Sequence, residues 1–298
     1  MNTRRIYSTP FPVEQRVAGP VTIRDLLLEA ERVLAHLPTP RLDAEVLLAL
    51  VLNSGRETLY AHPERRLPQG QVADFRTLVA RRSDGFPAAY LAGRREFWST
   101  DILISQDTLI PRPETELLVE AALEMIPAHA SLNILDLGTG SGAIAITIAR
   151  ERPLCHVTAA DISRGALAVA GSNARRYGLE NIRFHVSDWF SAFHGVVFDL
   201  VVCNPPYVDS GDRGFENGDI RFEPRIALDG GYQGMRMINH IIPVASYHLK
   251  PDAPLLLEHG HDQAASIRDL FICNGYTAVE TRRDYAGLDR ISLGRSSA

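Results

Sequence analysis

The run Asp136-Leu-Gly138-Thr-Gly140-Ser-Gly142-Ala constrains this chain more than any other segment. It lies between an apolar stretch of strand character, 133–137, and a stretch of helical periodicity, 142–151, so it is a strand-to-helix turn rich in glycine. Glycine reaches positive φ without steric cost and lets backbone approach a ligand closely, while a helix N-terminus leaves N–H groups without intrahelical partners. Such a turn predicts a nucleotide-type ligand. The acid closing the next predicted strand, Asp161, lies 21 positions beyond Gly140, the separation at which a carboxylate accepts hydrogen bonds from ribose hydroxyls.

The surrounding pattern alternates. A helix to 126, strand 133–137, helix 142–151, strand 157–161, helix 164–177 and strands 182–186 and 198–203 predict parallel βαβ units with helices on both faces of one sheet. Residues 208–230 are long, glycine- and charge-rich and aperiodic, which marks a candidate functional loop. A strand at 255–257, a helix at 263–274 and strands near 277–280 and 290–293 complete the domain. Upstream, Ile23, Leu26, Leu27, Ala30, Val33 and Leu34 recur at helical spacing after Thr22, with Asp25 in capping-box position. Two further helices are expected, from 41 to 52 and between Pro68 and Gly85. The expected organisation is an irregular leader (1–21), a helical bundle (22–86), a β-hairpin connector (87–110) with strands at 96–98 and 102–105, and an α/β domain (111–298).

Asp188-Trp189 follows the third predicted strand of that domain and Asn204-Pro205-Pro206-Tyr207 the fourth. Loops at the carboxyl ends of strands line the ligand crevice of an open α/β sheet, so these motifs converge with the glycine turn. The prolines of Asn204–Tyr207 donate no N–H, and the turn therefore offers acceptors: the Asn204 side-chain oxygen and the Pro205 carbonyl. A planar NH2 group, either an amide or an exocyclic amine, satisfies both, with Tyr207 stacking on its flat face. At this stage Gly138-x-Gly140-x-x-Ala143 also admits a dinucleotide, so a nicotinamide or flavin enzyme remains an alternative.

Taken together, Arg95-Glu-Phe-Trp98, Leu109-Ile-Pro-Arg-Pro-Glu-Thr-Glu116, Asp136 to Gly142, Ser187-Asp-Trp-Phe190, Asn204 to Tyr207, Arg221-Phe-Glu-Pro224 and Leu255-Leu-Leu-Glu-His-Gly260 resemble one family. It is the HemK/PrmC protein-(glutamine-N5) methyltransferases, within the class I S-adenosylmethionine (SAM) methyltransferases of Rossmann-like fold. The resemblance runs from about Thr22 to Arg295. It implies that Gly138, Thr139, Gly140, Ser141 and Gly142 cradle the methionyl part of SAM, that Asp161 holds its ribose, and that Asp188 and Trp189 flank adenine. It further implies that Asn204, Pro205, Pro206 and Tyr207 hold a substrate glutamine, with Asn204, Pro205 and Tyr207 at the chemistry and Asn204 also beside the cofactor. The substrates implied are class 1 peptide-chain release factors, methylated on the glutamine of a Gly-Gly-Gln loop with S-adenosylhomocysteine as product. The helical domain is expected to help recognise the factor, and Arg112, Pro113 and Glu114 to wall and position the cleft.

Charge bears on the rivals. Residues 1–110 carry 14 basic and 13 acidic side chains and residues 111–298 carry 17 and 23, so no broad basic face is implied and direct nucleic-acid binding is not expected. That disfavours an adenine-N6 methyltransferase, whose acceptor turn is similar; a SAM-sensing module would leave the Asn204 turn without a use. Cys155, Cys203 and Cys273 lack disulfide or Cys-x-x-Cys spacing and fit a reducing, cytoplasmic setting. The longest clean apolar run, 46–52, is far shorter than the roughly 18 residues that span a bilayer, so no membrane association is expected. Glu258, His259, His261 and Asp262 superficially resemble a metal cluster, but methyl transfer to nitrogen needs none, and a strand-end hydrogen-bond network is expected there.

Overall fold

The computed structural model describes residues 21–216 and 218–297, which form two compact units, one up to Gly93 and one from Arg94. The expected leader lies outside the described residues except at Val21. The first unit contains α1 (Ile23–Val33), α2 (Pro40–Leu52), α3 (Glu57–Ala61), α4 (Gln69–Ser83) and α5 (Ala88–Ala92). Helix α1 starts on the expected capping box: Asp25 N–H donates to Thr22 Oγ1 at 3.2 Å and Thr22 N–H to Asp25 Oδ2 at 3.1 Å. Its apolar stripe, Ile23, Leu26, Leu27 and Ala30, packs with Leu47 and Leu48 of α2 and Phe75 and Val79 of α4 in one core. Buried Glu45 is held by Arg41, Arg56 and the Tyr60 hydroxyl, which supply the partners that a buried carboxylate requires.

The segment expected as a connector divides between the units. Residues 88–92 form α5, whereas the hairpin β1 (Arg94–Phe97) and β2 (Thr100–Leu103) belongs to the second unit. Its strands lie slightly upstream of the expected positions because the turn is Trp98-Ser99, both at positive φ (50° and 53°), the type I′ geometry that matches strand twist.

The second unit continues with α6 (Thr115–Met125), β3 (Asn133–Leu137), α7 (Ala143–Glu151), β4 (His156–Asp161), α8 (Arg164–Arg176), β5 (Ile182–Val186) and β6 (Leu200–Cys203). After the 208–235 loop come α9 (Arg236–Ala245), β7 (Pro254–Glu258), α10 (Ala264–Cys273), β8 (Thr277–Arg283) and β9 (Asp289–Arg295). The sheet order is β5-β4-β3-β6-β7-β9-β8, with β3 to β7 mutually parallel and β9 antiparallel to both neighbours. The central strands are apolar on both faces: β6 and β7 are buried at every position, as parallel strands covered by helices must be. This is the mostly parallel sheet with helices on its faces that the βαβ alternation predicts. The chain order reverses between β3 and β6, which puts a crevice at the carboxyl ends of those strands. Among the described residues, no helix is long and apolar enough to cross a membrane.

Candidate active site

That crevice is a cleft of about 390 Å3 lined by Gly138 to Ser141, Asp161, Ser187, Asp188, Trp189, Asn204 and Pro206. Strand β3 delivers the glycine turn, β4 Asp161, β5 the Asp188-Trp189 pair and β6 the Asn204 turn. The expected motifs thus converge on one site.

The glycine turn needs its glycines for different reasons. Gly138, Gly140 and Gly142 all sit at positive φ (70°, 56° and 84°). At Gly142 a Cβ would come within 2.9 Å of Ile146 Cδ1 and 3.1 Å of Ala170 Cβ, so this residue lets α7 pack against α8. Gly142 does not line the cleft, whereas Gly138, Thr139, Gly140 and Ser141 do. Ser141 is fixed through a buried tie that sequence reasoning missed. Asn173 donates Nδ2 to the Ser141 and Leu103 carbonyls, both at 2.9 Å, while its Oδ1 takes the Leu103 N–H at 2.8 Å. A single asparagine in an amphipathic helix carries no signal of that role.

Asp161 also braces the turn. Its Oδ2 accepts the Gly140 N–H at 2.9 Å and its Oδ1 the Ser163 N–H at 2.8 Å, leaving further lone pairs toward the cleft. Burial pushes its carboxyl pKa up, against these backbone donors. Behind the turn, Asp136 is fully buried and its Oδ2 accepts from Thr139 Oγ1 (2.7 Å) and Ala145 N–H (3.2 Å), while Oδ1 has no partner. Burial pushes Asp136 up to about 7.

On the opposite wall, Asn204 Nδ2 donates to Thr115 Oγ1 at 3.1 Å. With the NH2 end engaged, the carbonyl end of the amide is the one left for the cleft, which is the polarity an acceptor turn requires. Thr115 lines the cleft and is buried at the start of α6; the sequence placed it within a quoted motif without a role. Pro205 is buried, and Tyr207 departs from expectation. The Tyr207 ring packs against the core and does not line the cleft, and its hydroxyl donates to Glu258 Oε1 at 3.0 Å. Burial, then the Glu258 charge, push the Tyr207 phenol up, so it remains protonated. The turn is anchored from behind by Gln263, whose Nε2 donates to the Tyr207 and Gln233 carbonyls, both at 2.9 Å.

The 208–230 loop forms the outer wall with Arg225, Ile226 and Asp229. It is latched by Glu223, a buried side chain accepting from Ile110 N–H at 3.0 Å and Arg112 Nη2 at 2.5 Å. Arg112 therefore positions the loop rather than facing the cleft. At the end of β7, His259 Nδ1 donates to the Gly260 carbonyl (2.8 Å) and Nε2 accepts from Ser292 Oγ (2.9 Å), the neutral form that its depressed pKa favours. Of the four residues singled out there, Glu258 is hydrogen-bonded to Tyr207 and His259 to Gly260 and Ser292.

Comparison with known proteins adds family to geometry. The chain matches the family descriptions "PrmC N-terminal domain" over residues 25–93 and "Methyltransferase small domain" over residues 113–217. It is 47% identical over 269 residues to the release factor glutamine methyltransferase of Salmonella typhimurium, covering 90% of this chain and 97% of that one. The protein of the same name from Escherichia coli is 46% identical with the same coverage. Among solved structures, a methyltransferase from Pyrococcus furiosus superposes with a TM-score of 0.51 at 19% identity, covering 68% of this chain and 91% of the other, a likeness of fold.

Proposed function

The chain belongs to the release factor glutamine methyltransferase family and is a SAM-dependent methyltransferase, and from that premise we propose its reaction in detail. It transfers a methyl group to the side-chain amide nitrogen (N5) of the glutamine in the Gly-Gly-Gln loop of class 1 peptide-chain release factors, releasing S-adenosylhomocysteine and tuning translation termination. A translation factor as substrate places the reaction in the cytoplasm.

The residues present fit SAM. The cleft is of the size that holds a small-molecule ligand, two cleft-lining glycines hold positive φ, and a carboxylate and an indole flank them. Gly138 to Ser141 cradle the methionyl part, Asp161 accepts from the ribose hydroxyls, and Asp188 and Trp189 bracket the adenine. SAM supplies a methyl already activated on a sulfonium, so the protein's own task is alignment.

The observation that carries the reading is the Asn204–Thr115 hydrogen bond. It leaves Asn204 Oδ1 to accept one hydrogen of the substrate NH2, with the Pro205 carbonyl for the other. Two acceptors hold the amide nitrogen in line with the methyl and draw its lone pair out of conjugation, which is where an amide resists alkylation. Pro205 and Pro206 make that turn rigid, and Tyr207 supports it from the core side. The proton leaves to water after transfer, when the alkylated nitrogen is acidic, so no side chain needs to act as a general base. The helical unit, matched to the family's N-terminal domain, contributes recognition of the intact factor.

Mass spectrometry of a release factor incubated with enzyme and SAM tests the proposal. One added methyl on the Gly-Gly-Gln glutamine is expected, and methyl on any other residue, or none, rejects it.

A further inference from the structure

Trp189 lines the cleft with its backbone at φ 49°, a left-handed conformation that a residue with so bulky a side chain rarely adopts. A strained residue of this kind persists only where its surroundings hold it. The indole stands beside the glycine turn: a Cβ built on Gly138 would lie 3.8 Å from Trp189 Cζ3. The next residue, Phe190, is buried and stacks on His248 with ring centroids 4.7 Å apart, so the left-handed residue is where the chain turns from cleft to core.

Two serines hold that pose, and the direction of each bond between them is fixed. The Asp188 N–H, which can only donate, gives to Ser191 Oγ at 3.1 Å. The Trp189 carbonyl, which can only accept, takes the Ser187 hydroxyl proton at 2.6 Å. The two hydroxyl oxygens lie 3.3 Å apart, and since Ser187 has given its proton to Trp189, the bond between them runs from Ser191 to Ser187. One chain of hydrogen bonds therefore begins on Asp188 and ends on its neighbour Trp189. Buried Ser187 fills its second lone pair with the Ala192 N–H at 3.1 Å, and its own N–H donates to the Asp161 carbonyl at 3.0 Å. The clasp is thus anchored to the strand that carries Asp161.

We propose that Ser187 is a positioning residue for the cofactor: its hydroxyl holds Trp189 in the left-handed conformation and so keeps the adenine wall built before SAM arrives. This deepens the proposed site and rests on the reading that Trp189 brackets the adenine. Without the hydroxyl, the Trp189 carbonyl and the Ala192 N–H lose their partner, and the Trp189 backbone is released toward the negative φ it prefers. The indole then leaves the glycine turn. SAM must select the fraction of molecules that still hold the wall in place, which lowers its affinity and leaves the acceptor turn at Asn204 untouched.

The test uses full-length enzyme, SAM and purified release factor. It reads SAM affinity by calorimetry, kcat, KM for SAM and the thermal unfolding midpoint in Ser187→Ala, Trp189→Ala and the double variant. Ser187→Ala weakens SAM binding by about tenfold, the effect of one lost buried hydrogen bond. KM for SAM rises in step, while kcat at saturating SAM stays within about threefold, because the adenine wall is remote from the reacting atoms. In the Trp189→Ala background the same change costs less than about twofold, since nothing is left to position. Wild-type SAM affinity in Ser187→Ala overturns the inference. So does a loss that adds in full to that of Trp189→Ala, or one matched by falls in kcat and thermal midpoint, either of which makes Ser187 structural only. If Trp189→Ala binds SAM as the wild type does, the adenine reading fails and this inference with it. A weakened Trp189→Ala beside an unaffected Ser187→Ala rejects this inference alone.

Discussion

The Asp161 carboxylate accepts the backbone N–H of Gly140 at 2.9 Å, joining the end of one strand to the turn after its neighbour across 21 positions of chain. One side chain thus shapes the glycine turn and lines the same cleft. Because its two oxygens take two backbone N–H groups, those of Gly140 and Ser163, an amide cannot replace it. An Asn at 161 must aim its NH2 at one of them. Asp161→Asn is therefore expected to weaken SAM binding as severely as Asp161→Ala, by roughly 1–3 kcal/mol, or about ten- to a hundredfold. Isothermal calorimetry decides this, and wild-type affinity in the Asn variant would show that neither backbone bond matters to the site.

The Asn204 turn predicts the opposite split. Asn204→Ala removes an acceptor used when the substrate nitrogen must face the sulfonium, so turnover falls on the order of 100- to 1,000-fold while SAM binding changes little. Tyr207→Phe leaves a ring in the core and removes the donor to Glu258 Oε1. It should cost about 1–3 kcal/mol of stability, because a buried acceptor loses its partner. Single-turnover assays and denaturant melts separate the two effects. An Asn204→Ala enzyme near wild-type turnover, or one that methylates an adenine oligonucleotide, is incompatible with the acceptor turn.

What could be read from the chain follows from range. Strands β3 to β6 and the flanking helices announce themselves through local periodicity, and the glycine turn and Asp161 through spacing along the chain. Helix α9 escaped although Ile238, Ile241, Ile242 and Ala245 are buried at helical spacing. Pro243 inside it breaks the local pattern, and burial against the core outweighs the lost hydrogen bond. Nothing local reveals that Glu258, 51 positions away, stands opposite the Tyr207 hydroxyl, so the motif alone points Tyr207 at the cleft. Glu223 lies 111 positions from Arg112 and Asn173 lies 70 from Leu103, so their roles exist only after folding. The polar ties that align the site are long-range, and periodicity does not report them.

Asp136 makes stability depend on pH. Burial holds its native pKa at about 7, against 3.8 as the ordinary value, so the folded state binds the proton more tightly than the unfolded chain. The stability this group contributes is complete below about pH 4 and is lost as pH rises through 7; above that, an unpaired buried charge costs roughly 4 kcal/mol. Asp136→Asn mimics the protonated form. Its thermal midpoint should exceed that of the wild type at pH 8, and the gap should close as pH falls to 4. Melts of both proteins across that range measure the difference directly, which cancels the other buried acids; a gap that does not vary with pH would contradict a neutral Asp136 in the fold.

The division of the chain at Gly93 predicts which half of the work can be removed. The cleft and the polar ties of the site come from residues after that point, whereas the first unit has its own core around Leu26, Leu47 and Phe75. A protein comprising residues 94–298 should bind SAM within about threefold of the full chain, as expected of a separable unit. On a short Gly-Gly-Gln peptide, which is too small to use a recognition domain, kcat/KM should be similar for the two forms. On the intact release factor the truncated form should lose most of its kcat/KM through KM, since docking contacts are gone while the aligned turn remains. Circular dichroism and a cooperative melt establish that the shortened protein is folded. If the folded truncation then turns over the intact factor as efficiently as the full chain does, the helical unit contributes nothing to substrate recognition.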